Sequence, residues 1–468
     1  MLETESSPST MSSVTAHTTA LLPSDAKPPK SKSASYYSVH PLWQDIKPIP
    51  QMDQSGALAP IAYSPRYSEA MSYLRALMAD NEVSERALGL TEDLISMNPA
   101  HYTVWIYRMR ILKGLWSESK GADAEAVEVK DDKTAGSGPN EINDELWDKI
   151  QAELQWLDEV SFRNLKNYQI WHHRHGLADL LPADSTSTTT IPSESSKQAS
   201  ISDETRSILA LFISSEQIFL ARILSQDTKN YHVWSYRQWL CSRFPSFLLP
   251  SYSISIVPSI ASSYRSHAEV AAIDLMIEDD VRNNSAWSHR YFILFGHHEL
   301  SYAQSQTPPL ILKTVNEEKL LHKAGRVDMQ LVEAEVEYTK ARIREAPQNG
   351  SSWNYLRGVL RHGAVDVVTL RHFCEEFLGP DGDLWMDQWV DVEVEDSTTG
   401  QTQAEKQQLG VRSSHAVEWL SEIYGKDTGE AQRLRSKECL KALGEKWDII
   451  RKGYWVYRLQ KQEEEWSN

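Results

Sequence analysis

Three cysteines in 468 residues leave little to build a disulfide framework from. Cys241, Cys374 and Cys439 are far apart and odd in number, which argues against a secreted disulfide scaffold or a zinc knuckle and points to a reducing, cytoplasmic setting. No unbroken apolar run approaches the roughly 18 residues that a transmembrane helix needs. The opening MLETESSPST has neither the basic start nor the apolar stretch of a secretory signal. Positive charge is scarce too: 48 Lys and Arg against 65 Asp and Glu give a net −17, a poor basis for gripping nucleic acid through a general basic field. GxxxxGK[ST], GxGxxG, HExxH and GxSxG are all missing. The acidic run Glu278-Asp279-Asp280 does not extend into the spaced aspartate pairs that hold magnesium and a diphosphate in isoprenoid synthases. What is present is a core-forming composition, 41% hydrophobic and 24% charged, with sixteen tryptophans against nine phenylalanines.

Polar stretches divide the chain. Residues 1–40, rich in Ser, Thr, Pro and Lys, cannot bury enough apolar surface to offset their ordering entropy and are expected to form a disordered tail. The remainder, 41–468, is expected to be one helical-hairpin solenoid carrying flexible insertions at 117–145, 182–205 and 391–408. The first insertion holds nine acids against three lysines, a net −6, and reads as a solvated, solubilising loop. The segment 243–265 mixes Phe and Ile with its serines and is expected to pack partly onto the body.

Between these stretches lies a repeat: NPAHYTVWIYR, NLKNYQIWHHR, DTKNYHVWSYR, DVRNNSAWSHR and APQNGSSWNYLR align on Trp105, Trp171, Trp234, Trp287 and Trp353. Four residues before the tryptophan stands Asn167, Asn230, Asn283 or Asn349, with His101 the exception; three after stands Arg108, Arg174, Arg237 or Arg290, slipping one place to Arg357 in the fifth. Upstream, Ala87, Leu90 and Leu94, or Val270, Ile273 and Ile277, fall at helical spacing. Downstream, Trp105, Met109, Leu112 and Trp116 make a second stripe. Each repeat therefore reads as helix, Asn-capped turn, helix. One pair cannot bury its apolar face alone, so the pairs are expected to stack into an all-α, right-handed superhelical solenoid. A degenerate sixth unit is expected at Tyr454-Trp455-Val456-Tyr457-Arg458.

The tryptophans, heading apolar stripes, read as core, and the arginines as partners of acids on neighbouring helices. His172 and His175 share a helix face at i, i+3, but histidines following a turn are usually packed or solvated, and we assign no metal ligands to this chain. The variable turn residues are what packing does not explain. Stacking brings Lys166, Tyr168 and Gln169 of the second turn close to Lys229, Tyr231 and His232 of the third. That donor-rich edge suits an anion; the bland reading is ordinary solvated turns.

The blocks NLKNYQIWHHR, DTKNYHVWSYRQW and DVRNNSAWSHRYF resemble the repeats of protein prenyltransferase α subunits, in particular the α subunit shared by protein farnesyltransferase and protein geranylgeranyltransferase type I. WQDIKPIPQ at Trp43–Gln51 and PIAYS at Pro60–Ser64 are similar to the stretch preceding those repeats. The resemblance covers about residues 41–360 and is weak over the last hundred. It implies an α/α prenyltransferase-repeat fold paired with a β subunit that carries the catalytic zinc and most of the isoprenoid pocket. It further implies transfer of farnesyl or geranylgeranyl from its diphosphate to the cysteine thiol of a C-terminal CaaX sequence, as borne by small GTPases, with magnesium assisting the farnesyl-transferring complex. By matching motifs, Lys166 would contact or steer the diphosphate, Tyr168 would stand near the active site and Gln169 would hydrogen-bond the substrate's terminal carboxylate. Tyr231 and His232 would face the same cleft, His232 supporting leaving-group charge, and Tyr102 would line the peptide side. The departure at His101 is expected to alter the hydrogen bonds of its turn. Two alternatives stand beside this reading: a non-catalytic helical-repeat scaffold, and the α subunit of the Rab-directed prenyltransferase.

Overall fold

The computed structural model describes residues 37–52, 61–118, 142–182, 201–249, 267–296, 328–395 and 402–467. Most of the expected tail and most of the insertions at 117–145 and 182–205 lie outside these residues. The chain divides into two compact units, residues 1–98 with 110–115, and residues 99–109 with 116–468.

In the first unit, α1 (Pro65–Ala79) and α2 (Glu85–Met97) form a hairpin. Each begins at a serine, Ser64 or Ser84, whose hydroxyl accepts a backbone N–H of the first turn. The segment that leads in belongs to the packed body: Tyr37, expected in the tail, sits in a ring cluster with Trp43 and Tyr73 and donates to Asp93 at 2.6 Å. Arg86 grips Asp45 with both terminal nitrogens, at 2.8 and 2.9 Å.

The second unit contains most of α3 (Tyr102–Glu118) and then four helical hairpins. They are α4 (Asp144–Arg163) with α5 (Tyr168–Ala178), α6 (Asp203–Leu224) with α7 (Tyr231–Arg243), α9 (Ala268–Asp279) with α10 (Asn284–Tyr291), and α11 (Met329–Glu345) with α12 (Gly350–His362). A short α8 (Pro245–Leu248) follows α7 and buries Phe244, Leu248 and Leu249, so the start of the 243–265 segment packs inward as expected. Helix α6 is apolar enough and long enough to cross a membrane by composition, yet Phe212, Phe219, Leu220 and Ile223 bury one side of it in the stack.

Three kinds of bond recur from one repeat to the next. The indole N–H of Trp105, Trp234, Trp287 and Trp353 reaches the carbonyl six residues back, in Pro99, Thr228, Val281 and Pro347, at 2.8–2.9 Å. The capping asparagine of the following turn donates to the same carbonyl position: Asn230 to Leu165 at 3.1 Å, Asn283 to Thr228 at 3.3 Å and Asn349 to Val281 at 2.6 Å. Deepest are the arginines. Arg108, Arg174, Arg237 and Arg290 each make a two-pronged ion pair with Glu153, Glu216, Glu269 and Glu335 of the next repeat. In the second, fourth and fifth repeats the residue two after the tryptophan completes the group: His173, His289 and Tyr355 bond Glu153, Glu269 and Glu335 at 2.9, 2.9 and 2.6 Å. All four glutamates are buried, and a charge survives there only because it is fully paired.

The last hundred residues continue the packing. After α13 (Arg371–Glu375) the chain makes a two-stranded antiparallel hairpin, β1 (Asp387–Glu395) with β2 (Thr402–Gly410), which takes in and extends past both ends of the segment read from sequence as an insertion at 391–408. Helices α14 (Ser414–Gly425), α15 (Glu430–Ala442) and α16 (Lys452–Ser467) follow. The sixth rung of the stack falls to α14 and not to the Trp455 string. Ser413, its cap, donates to Pro347 O at 2.6 Å, and Arg357 pairs with Glu422 at 2.8 Å. Trp455 is buried, but its indole bonds the side chain of Asp448 at 3.0 Å and not a turn carbonyl. Apart from that hairpin the described chain is helical, and it is a helical-repeat solenoid.

Candidate functional site

Each second helix of a hairpin starts at its turn, so the first residues of α5 and α7 and the turns before them lie along one edge of the stack. The caps fix this edge: Asn167 and Asn230 accept the N–H of Gln169 and His232 at 2.8 and 3.0 Å, placing the residue between cap and donor at the helix tip. Those tip residues are Tyr168 and Tyr231, 67% and 69% exposed. Two tyrosines left in solvent at equivalent places are not core.

Four of the six expected residues come together. Tyr168 meets the imidazole of His232 edge-on with ring centroids 4.2 Å apart, and Tyr231 lies 5.7 Å from the same ring. Burial, and then the nearby positive charge of Lys166, lower the pKa of His232 and favour the neutral ring. Lys166 itself is 78% exposed at its side chain, with Nζ 3.4 Å from Asp227 Oδ2 of the next turn. The other two stand apart among the described residues. Gln169 is half-buried in the first turn of α5, and Tyr102, 58% exposed, opens α3; neither side chain has a ring or hydrogen-bond contact with that group.

Acids enter this edge as well as donors. Lys229 pairs with Asp280 at 2.9 Å in the way that Lys166 pairs with Asp227, a cation of one turn meeting the aspartate of the next. The series ends at Arg282, for the fifth repeat has Ala346 where the aspartate would stand. At the His101 turn, Nδ1 is buried without a hydrogen bond, while the indole of Trp105 still reaches Pro99 O at 2.8 Å.

The tryptophan-bearing hairpins match a known repeat. The sequence profile described as "Protein prenyltransferase alpha subunit repeat" fits residues 84–115, 150–181, 213–244, 266–296 and 332–363, one match around each of the five tryptophans. The chain belongs to the protein prenyltransferase α-subunit repeat family. A protein farnesyltransferase/geranylgeranyltransferase type-1 subunit alpha from Candida albicans is 28% identical over 90% of this chain and 96% of its own length. The protein of that name from Schizosaccharomyces pombe is 40% identical over 135 residues, 29% of this chain and 35% of its own. Among solved structures, a chain of Candida albicans protein geranylgeranyltransferase-I complexed with GGPP superposes with a TM-score of 0.57 at 26% identity, covering 90% of this chain and 98% of that one.

Within a prenyltransferase α-subunit repeat, the histidines have plain structural work. His173 is buried on Glu153, and His175 stacks on Trp239 with centroids 4.1 Å apart, its pKa pushed down to about 4 by burial and then by His172. His172 is exposed, so His172 and His175 do not share an environment. Cys241, Glu269 and His289 do converge, buried and within 4.8 Å, but the arrangement does not fit a metal. Both oxygens of Glu269 accept from Arg237, at 2.6 and 3.0 Å, which puts a guanidinium where a cation would have to go. Burial also drives the Cys241 thiol pKa well up, away from the thiolate a metal needs.

One set of residues escaped the sequence reading although a signal was present. Glu153, Glu216, Glu269 and Glu335 each stand eighteen residues before the tryptophan of their repeat, and the first repeat, with no preceding arginine to receive, has Ala87 there. Burial alone would raise Glu153, but the hydrogen bond from His173 and the charge of Arg108 outweigh it and hold the carboxyl down at about 2.

Proposed function

We propose that this chain is the α subunit of a heterodimeric CaaX protein prenyltransferase. The complex transfers farnesyl or geranylgeranyl from its diphosphate to the cysteine thiol of a C-terminal CaaX sequence in the cytoplasm. The observation that carries the reading is the near full-length likeness to the type-1 α subunit of Candida albicans, 90% of this chain on 96% of that one. The catalytic zinc would belong to the β subunit, where it would hold the peptide's cysteine as its thiolate, and magnesium would assist when farnesyl is transferred.

This chain contributes an edge of fixed polarity. As the isoprenoid carbon–oxygen bond breaks, negative charge builds on the departing diphosphate, and a cation already in place stabilises it without reorganisation. Lys166, exposed and held by a single long ion pair, is that cation. His232, kept neutral, offers one ring N–H to the same charge, and Tyr168 and Tyr231 flank the imidazole and fix its plane. Gln169 is the amide that bonds the peptide's terminal carboxylate, and Tyr102 lines the peptide side.

The test is transfer of labelled farnesyl or geranylgeranyl to a CaaX peptide by the full chain, alone and with a co-expressed β subunit. Transfer only by the pair is the expected result. A pair that modified a Rab protein but no CaaX peptide would move the assignment to the Rab-directed enzyme. Failure to bind any β subunit would leave an interaction scaffold.

A further inference from the structure

Lys166 already has an anion. Its Nζ lies 3.4 Å from Asp227 Oδ2, and the two side chains differ sharply in freedom: Lys166 is 78% exposed, Asp227 only 25%. Asp227 is tied into the turn, since its carbonyl accepts the N–H of Asn230 at 3.2 Å and that asparagine is buried and caps α7. The lysine is therefore the mobile member and the aspartate the fixed one. The next pair along the edge, Lys229 with Asp280, repeats the geometry more tightly at 2.9 Å, and it holds Asp280 below the ordinary carboxylate range mainly through the hydrogen bond from Lys229.

We propose that Asp227 is the exchangeable counter-ion of Lys166: it holds the lysine on the edge when the site is empty, yields it to the diphosphate, and takes it back as the diphosphate leaves. The inference rests on the assignment of Lys166 to the diphosphate given above. The sign follows from competition, since Asp227 and the diphosphate draw on the same Nζ. A diphosphate on Nζ must sit within a few ångströms of a fixed carboxylate, so the aspartate opposes the bound anion while it orients the empty site. A site without it would hold the anionic product longer, and tighter binding of substrate and product together does nothing for turnover. Asp227 is thus a positioning residue that tunes release, acting through Lys166.

The experiment measures the affinity of inorganic pyrophosphate, and of a non-transferable isoprenoid diphosphate analogue, for the assembled α/β complex. Asp227→Asn keeps the size and the turn. It is expected to tighten both ligands by about two- to fivefold, the range set by an exposed ion pair, and to slow release in proportion. Asp280→Asn, the same change one repeat along, should leave both affinities where they were. The decisive comparison is Asp227→Asn in a Lys166→Ala background, where the gain should vanish. A gain that persists without Lys166 would mean a general loss of negative charge, and unchanged or weaker binding in Asp227→Asn would also overturn the exchange. If Lys166→Ala alone leaves diphosphate affinity and turnover untouched, the role given to Lys166 fails, a result separable from the others.

Discussion

The interior of the stack and its turn edge use the same device with opposite results. In both, a cation of one repeat reaches an acid of the next. Inside, Arg174 and Glu216 are 2% and 1% exposed at their side chains and meet at 2.8 and 2.5 Å through two prongs. On the edge, Lys166 and Asp227 meet once, at 3.4 Å, with the lysine open to solvent. Burial decides what each pair is good for. A desolvated, two-pronged pair is costly to open and so fixes the spacing of helices. A hydrated, one-pronged pair is nearly free to open, and so it can be exchanged for a substrate.

The contrast breaks first at the interior. Glu216→Ala leaves the buried Arg174 guanidinium with only Asp158, at 2.7 Å, as a carboxylate partner and should cost about 3–5 kcal/mol, read as a lower denaturant midpoint of the full chain and as poorer assembly with the β subunit. A loss under about 1 kcal/mol, the usual worth of a surface pair, would erase the distinction. Lys166→Ala should do the reverse: stability within about 0.5 kcal/mol of the parent, but turnover of the assembled enzyme down by about 10²–10³, as when one preorganised partner of a developing oxyanion is removed. Normal turnover in that assembled variant would take Lys166 out of the mechanism.

The smallest effect concerns His175, in the last turn of α5 and stacked on Trp239. Its folded-state pKa, about 4, lies below the ordinary value of 6.5 because burial disfavours the charged ring. The unfolded chain therefore binds a proton first as pH falls. The contribution to stability is whole above 6.5 and declines as pH drops toward 4, with no further loss below. His175→Gln should flatten this part of the stability-versus-pH curve, and an unchanged slope would place the titration elsewhere.

The sequence made the repeat legible because its tryptophans, capping asparagines and arginines recur at fixed offsets, and each offset corresponds to a bond. It left the glutamates hidden for a reason of distance. An acid eighteen residues upstream falls outside any one helical window, and only alignment on the tryptophans exposes it. The β-hairpin was missed differently. Val390, Val392 and Val394 alternate at the period of a strand, but interleaved acids and the Ser/Thr stretch after them read as a polar insertion. The sixth unit was misplaced because a Tyr-Trp-x-Tyr-Arg string imitates the repeat without its turn, whereas Ser413 supplies the turn's hydrogen bond without the string. On the edge, identities such as Lys166 and His232 came from motif resemblance. That Asp227 and Asp280 sit among the donors required coordinates, because each belongs to the repeat after the lysine it meets.

The asparagine rungs bear on how such a chain tolerates change in length. Successive tryptophans from the second repeat onward are 63, 53 and 66 residues apart, yet neighbouring turns are joined by a single amide–carbonyl bond of 3.1, 3.3 or 2.6 Å. The pitch of the edge is therefore indifferent to how many residues separate one hairpin from the next. Chain can be added or trimmed between hairpins, by drift or by an experimenter fusing in an epitope or a fluorophore, while the residues of the turn edge keep their places.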